Sequence, residues 1–158
     1  MDRDPRGAEA MTALLVTGSR SLEKRLGMRE RSADVIRMAV WSLRITHVIA
    51  GDAYGPDTWA TQCAQARRLT WERWALDGFV RYQTGDIVMW WKEGDPMLSG
   101  KSWPLVRNDR MVRSVGTQFP GAWCLALVDP RSRTHGTDHT ARLAENAGLR
   151  VIRCVYGA

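Results

Sequence analysis

No stretch of the 158 residues carries some 18 consecutive apolar side chains, which excludes a membrane-spanning helix. The opening Met1 to Ala10 is charged and has no apolar centre, so a secretory signal is not expected there. Cysteine is scarce. Cys63, Cys124 and Cys154 are odd in number, far apart and never in a C-x-x-C pair, which argues against a disulfide framework or a zinc site. A cytoplasmic chain with buried thiols is the expectation. Internal repeats and low-complexity tracts are lacking as well. What is present is an ordinary globular balance, 44% hydrophobic and 25% charged, which excludes wholesale disorder. Lys and Arg exceed Asp and Glu by 23 to 17, a net charge of +6 that suits anionic partners such as nucleotides or nucleic acid. Eight tryptophans are the one compositional oddity.

The length fits one domain. Residues 1–11 lack periodicity and read as a disordered leader, with a single folded unit over 12–158. Ala13 to Thr17 is a short continuous apolar run that stops at Gly18, the pattern of a strand covered on both faces. Val35, Ile36, Ala39, Val40 and Leu43 recur at helical spacing over roughly four turns. His47 to Ala50 repeats the strand pattern and stops at Gly51. Asp57 or Thr58 is expected to cap the helix that follows. Asp77-Gly78 predicts a hairpin with a type I′ turn, an insertion into the basic unit. Residues 83–103 read mostly as loop, with a short helix near Ile87 to Trp91. Pro104 opens a helix, Trp123 to Val128 is a strand, Thr137 or Asp138 caps the next helix, and Leu149 to Val155 is the last strand. This alternation predicts an α/β fold, an open, mostly parallel sheet with helices on both faces. Ligands of such sheets sit beyond the carboxyl ends of the strands, near the switch in strand order. The loops at 18–28, 51–57, 83–104 and 129–137 are therefore where chemistry is expected.

In the first of these loops Gly18 permits a close approach, Ser19 and Ser21 offer hydroxyls, and Arg20 is either a fork for phosphate or a solvated surface arginine. The second, Gly51-Asp52-Ala53-Tyr54-Gly55-Pro56-Asp57-Thr58, can aim amides at an anion where a helix begins. Its carboxylates Asp52 and Asp57 suit ribose hydroxyls, a cation or capping instead, and Tyr54 reads as a surface aromatic. Arg107 and Asn108 open the third helix, with Arg107 either a salt-bridge partner or a ligand clamp. In the fourth loop His135, Gly136 and Thr137 resemble a phosphate cradle in residue type. His135 and His139 are four apart but have no third ligand, so no metal site is expected. Trp41 and Trp59 read as core or interface, Trp71 and Trp74 as facing opposite ways. Trp90, Trp91 and Trp103 either pack or offer faces for base stacking.

Val16-Thr17-Gly18-Ser19-Arg20, the Gly51 to Ala60 segment, Pro104 to Met111 and Gly136-Thr137 occur in an order that resembles the SLOG superfamily of Rossmann-like proteins, specifically its YspA-like branch. The resemblance covers about residues 12–155. It implies a Rossmann-like fold and a crevice for a nucleotide or nucleotide-derived ligand, formed by Gly18, Ser19, Arg20, Gly51, Asp52, Gly55, Asp57, Thr58, Arg107, Asn108, His135, Gly136 and Thr137. The superfamily includes the LOG phosphoribohydrolases and DprA-type binders of single-stranded DNA, so three functions follow. The first is a nucleotide sensor or sequestering module, the second an N-glycosidic phosphoribohydrolase, the third a single-strand DNA binder. Arg107 and Met111 match the R-x-x-x-M spacing of the LOG enzymes. Their P-G-G-x-G-T loop is Ser132 to Thr137 here, with Arg133 and Thr134 in place of two glycines, and Thr140 stands where they carry a glutamate. Were a bond cleaved, Arg107, Asp52, Asp57 and His135 are the candidates for the chemistry. Self-association is implied because superfamily members commonly dimerise.

Overall fold

The computed structural model of the protein describes residues 11–92, 103–132 and 136–157. They form one seven-stranded sheet with four α-helices. In chain order these are β1 (Ala13–Gly18), a short 3-10 turn (Arg20–Lys24), α1 (Met28–Ser42), β2 (His47–Gly51) and α2 (Pro56–Ala66). Then come β3 (Thr70–Trp74), β4 (Phe79–Tyr82), β5 (Ile87–Met89), α3 (Trp103–Gln118), β6 (Trp123–Val128), α4 (Gly136–Asn146) and β7 (Arg150–Val155). The strands lie in the order β5-β4-β3-β2-β1-β6-β7. The five from β3 to β7 are parallel, and β4 and β5 add an antiparallel edge. The fold is the Rossmann-like open sheet expected from the alternation of elements.

Burial explains why the central strands read as unbroken apolar runs. Leu14 and Val16 of β1 point into one core layer with Ile36 and Val40 of α1 and Ala60 of α2. Ala13 and Leu15 point the other way, with Met111, Val112 and Val115 of α3 and Ala144 of α4. Both faces of β1 are thus covered, and alternation with polar residues has no place there. Because β1 leads to β2 on one side and β6 flanks it on the other, the strand order reverses beside β1. Such a reversal leaves a crevice above the carboxyl ends of β1 and β6.

Four local expectations are corrected. The hairpin between β3 and β4 is present, but its turn is not type I′. Only Gly78 has positive φ, at 97°, and the amide of Gly78 closes on Ala75 O at 3.2 Å. That leaves the three-residue loop Leu76-Asp77-Gly78, whose geometry needs one left-handed residue rather than two. Ile87 to Met89 is a strand, not a helix, because Val88 pairs with Val80 and the Gly85 turn folds the chain back. The cap of α2 is Gly55, since Pro56 takes the first helical position that its missing N–H suits. Helix α4 starts at Gly136, which puts Thr137 and Asp138 inside its first turn rather than at its cap.

The tryptophans divide. Trp59 and Trp74 are buried, whereas Trp41 is 72% exposed and Trp71 half-buried. Trp90 is buried against Trp103, ring centroids 4.6 Å apart, and their indole N–H groups donate to Ala75 O and Leu76 O. These two rings brace α3 against the hairpin and are not free faces for a base. The hairpin also holds a buried polar cluster. Glu72 accepts the Trp74 indole N–H at 2.9 Å and lies 2.7 Å from His47 Nε2, whose other ring nitrogen meets Thr70 Oγ1.

Candidate functional site

The loops that follow β1, β2 and β6 meet the start of α3 around one cavity of about 670 Å3. Its construction begins with two close approaches. A Cβ on Gly18 would lie 2.6 Å from Pro56 Cβ and closer still to Cγ, so only glycine lets the start of α2 press onto the end of β1. A Cβ on Gly51 would lie 2.6 Å from Asp57 Oδ2 and 2.9 Å from Arg107 Nη1. The bare backbone of Gly51 is therefore the floor on which Asp57 and Arg107 converge.

Arg107 is 4% exposed. Its Nη1 donates to Trp74 O at 2.8 Å and to Asp52 Oδ1 at 3.1 Å, and its Nε donates to Asn108 Oδ1 at 2.7 Å. The other Asp52 oxygen accepts the Leu76 amide at 3.2 Å. Asp52 is thus a strut between the β2 loop, α3 and the hairpin. Asp57 is buried, and its Oδ2 accepts the Ala53 amide at 3.2 Å, so it braces its own loop instead of capping α2. Burial pushes its carboxyl up to about 6, against the pull of Arg107 and the Ala53 amide. Thr58 turns back to donate to Ala53 O at 3.0 Å.

At the reversal point Ser19 ties three segments together. Its amide donates to Leu127 O, its Oγ accepts the Asp129 amide at 3.2 Å, and the same Oγ stands 3.5 Å from Thr137 Oγ1. Asp129 was not anticipated from the sequence. Its side chain is buried and accepts from Ser21 Oγ, Arg25 Nη1 and the Arg131 amide at 2.7, 2.7 and 3.0 Å. Burial works to raise its carboxyl, but those three donors hold it below the usual carboxylate range. One acidic residue after an apolar strand carries little signal in sequence, because its partners Ser21 and Arg25 lie more than a hundred positions away.

Of the residues expected at the site, Gly18, Ser19, Arg20 and Asp57 line the cavity, as do Arg107, Asn108, Gly136 and Thr137. Gly51, Asp52, Gly55 and Thr58 are not among its lining residues, though Asp52 pairs with Arg107 and Thr58 donates to Ala53 O, and both Arg107 and Ala53 line it. His135 lies outside the described residues. The cavity also takes Ser21, whose hydroxyl the first loop offers, together with Lys24 and Arg131, which sequence reasoning did not single out. Four cations, Arg20, Lys24, Arg107 and Arg131, thus face it against one carboxylate, Asp57. Three of those cations, Arg20, Lys24 and Arg131, are exposed, and the first turn of α4 presents Gly136 and Thr137 at the rim. Chemically the arrangement favours an anion, through charge, amides at a helix start and hydroxyls.

A Rossmann-like sheet with an electropositive cleft at its switch point is the class that the fold and the cleft define. The chain belongs to the family of the Gene 61 protein of Mycobacterium phage D29, with which it is 30% identical over 142 residues, 90% of this chain and 95% of the phage protein. No family model matches the chain, and no solved structure matches it.

Proposed function

We propose that the protein binds a nucleotide or nucleotide-derived ligand in this cleft, as a sensor or sequestering module of the SLOG type. The observation that carries the reading is the convergence of four separate stretches of chain on one cavity with four cations and one carboxylate. In this reading Arg20, Lys24 and Arg131 take the phosphate, beside the start of α4, while Asp57 and Asn108 suit the sugar hydroxyls. The volume of about 670 Å3 falls in the range of small-molecule sites, roughly 300–1,000 Å3. No helix among the described residues is long and apolar enough to cross a membrane, which is compatible with the cytoplasmic location that completes the reading. Self-association belongs to the same proposal, since β5 presents Ile87, Val88 and Met89 exposed at the sheet edge.

A thermal-shift series with nucleoside mono- and diphosphates and a cyclic ADP-ribose-type dinucleotide tests the binding. A ligand present at a hundredfold excess over its Kd raises Tm by about 5–10 °C. Arg20→Ala keeps the Tm of the free protein and loses most of that rise. No shift with any of these compounds overturns the reading.

A second reading, N-glycosidic cleavage, draws support from Asp57. A buried carboxyl held at about 6 within a cleft is suited to exchange a proton near neutral pH. Thr140 does not supply the missing carboxylate, being buried and donating to Gly136 O at 3.0 Å. Chromatography for free base after incubation with nucleoside monophosphates decides it. Release that Asp57→Asn abolishes supports cleavage, and no release from any of them removes it.

A further inference from the structure

Two hollows lie along the outer surface where α1 and α2 pack side by side, away from the cleft. One, of about 590 Å3, is lined by Trp41, Arg44, Ile45, Arg67 and Leu69 among others. The second, of about 380 Å3, is lined by Arg29, Arg37, Trp59, Gln62 and again Arg67. Arg67 borders both, so they form neighbouring parts of one groove. Four arginines line it against one lining carboxylate, Glu30, with Arg37 also paired to Asp34 on α1, and Trp41 stands in the groove 72% exposed.

The backbone supplies an independent observation. Among the described residues only Arg44 and Arg68 combine a side chain with positive φ, at 54° and 56°. They occupy equivalent places. The Ile45 amide donates to Val40 O and the Leu69 amide to Ala64 O, so α1 and α2 both end in the same hydrogen-bonded turn. The left-handed residue of that turn is ordinarily glycine, which fits without steric cost. Here it is arginine twice, at adjoining helix ends beside the Trp41 hollow. Glycine would serve the turn better, yet the left-handed arginine at the end of α1 lines the groove, and the one at the end of α2 directly follows Arg67, which lines both hollows.

We infer that the α1–α2 groove binds single-stranded nucleic acid, with the arginines on its phosphates and the Trp41 indole on a base. An indole face suits any base, and an arginine fork matches a phosphate. A duplex keeps its bases stacked inside and leaves the indole nothing planar to meet. An acidic peptide would use the arginines but not the indole. The groove stands on a different face from the cleft, and the inference does not depend on the nucleotide reading.

The test is fluorescence anisotropy with a labelled oligothymidine of about 12 nucleotides, within the usual range of single-strand site sizes. Binding is expected to weaken about 50-fold between roughly 50 and 200 mM salt, as four neutralised phosphates dictate. Arg44→Gly with Arg68→Gly is expected to weaken it about tenfold or more, at a Tm no lower than that of the unaltered protein. Trp41→Ala is expected to weaken it by about 5- to 150-fold. Excess adenosine monophosphate and Arg20→Ala leave it unchanged, which separates the groove from the cleft. The inference is overturned if the oligonucleotide does not bind at low salt, or if the double variant binds it as the unaltered chain does. It also fails if a duplex or a polyglutamate peptide binds equally well, or if adenosine monophosphate displaces the oligonucleotide.

Discussion

The hydroxyls of Ser19 and Thr137 stand 3.5 Å apart although 118 positions separate them in the chain. Ser19 leaves β1 and Thr137 enters α4, on the two sides of the point where strand order reverses. Ser19 also accepts the Asp129 amide, so one small side chain joins the loops after β1 and β6. The cleft owes its shape to such joints, and each can be broken separately.

Arg107→Ala should cost stability as well as affinity. The sequence alone leaves Arg107 open between a ligand clamp and a salt-bridge partner, and the structure shows the guanidinium buried and satisfying Trp74 O and Asp52. Removing it strands a buried carbonyl and unpairs a carboxylate, a loss of about 2–4 kcal/mol in urea unfolding. A variant as stable as the parent would show that these bonds contribute nothing net.

Gly18→Ala should destabilise by about 1–3 kcal/mol, because its new methyl meets the rigid ring of Pro56. The clash has one partner on α2, so Pro56→Ala in the same chain should recover part of the loss. A double variant no better than the single would place the strain elsewhere, for instance against Leu127 Cβ at 3.1 Å.

Asp57 sets a pH dependence of defined sign. Burial raises its carboxyl from 3.8 to about 6, so the folded protein takes up a proton there before the unfolded chain does. Stability then rises as pH falls from above 6 toward 4, by up to about 3 kcal/mol from this group. Asp57→Asn should flatten that window in denaturant titrations. Asp129 acts in the opposite sense. Its lowered carboxyl contributes stability above the ordinary carboxylate range and loses it only in stronger acid.

Arg44→Gly and Arg68→Gly should each raise Tm by about 1–4 °C, since glycine relieves the left-handed strain at the ends of α1 and α2. Part of the relief is offset by losing a cation at a helix carboxyl end, worth about 0.3–1 kcal/mol. Calorimetry of the single variants measures the difference, and a fall in Tm would mean that the charge outweighs the strain.

How much of this was readable in advance depended on where each contact comes from. Ala13 to Gly18 and His47 to Gly51 announce themselves because both faces of β1 and β2 are buried, and a glycine ends each at a close approach. Arg20, Arg107 and Thr137 were legible as candidates because a polar group at the end of a buried strand or the start of a helix has few other uses. Strand β5 was not legible. Three residues are too short for a period, and only the pairing of Val88 with Val80 makes them a strand. Asp57 has the composition of a cap, but Pro56 before it moves the cap to Gly55, and its role comes from Gly51 beneath it. Trp90 and Trp103 could not be told from stacking platforms until Ala75 O and Leu76 O were seen to take their N–H groups. Trp41 is the reverse case, a helical tryptophan read as core or interface that lies 72% exposed and so is not core.

The central claim is that one cleft at the switch point receives the ligand, and amide NMR during titration with adenosine monophosphate tests it most directly. The account predicts that the amides of Ser19, Arg20, Asn108 and Thr137 shift together along one saturable curve, while those of Trp41 and Arg44 stay in place. Shifts confined to other surfaces, or none at saturating nucleotide, would contradict it.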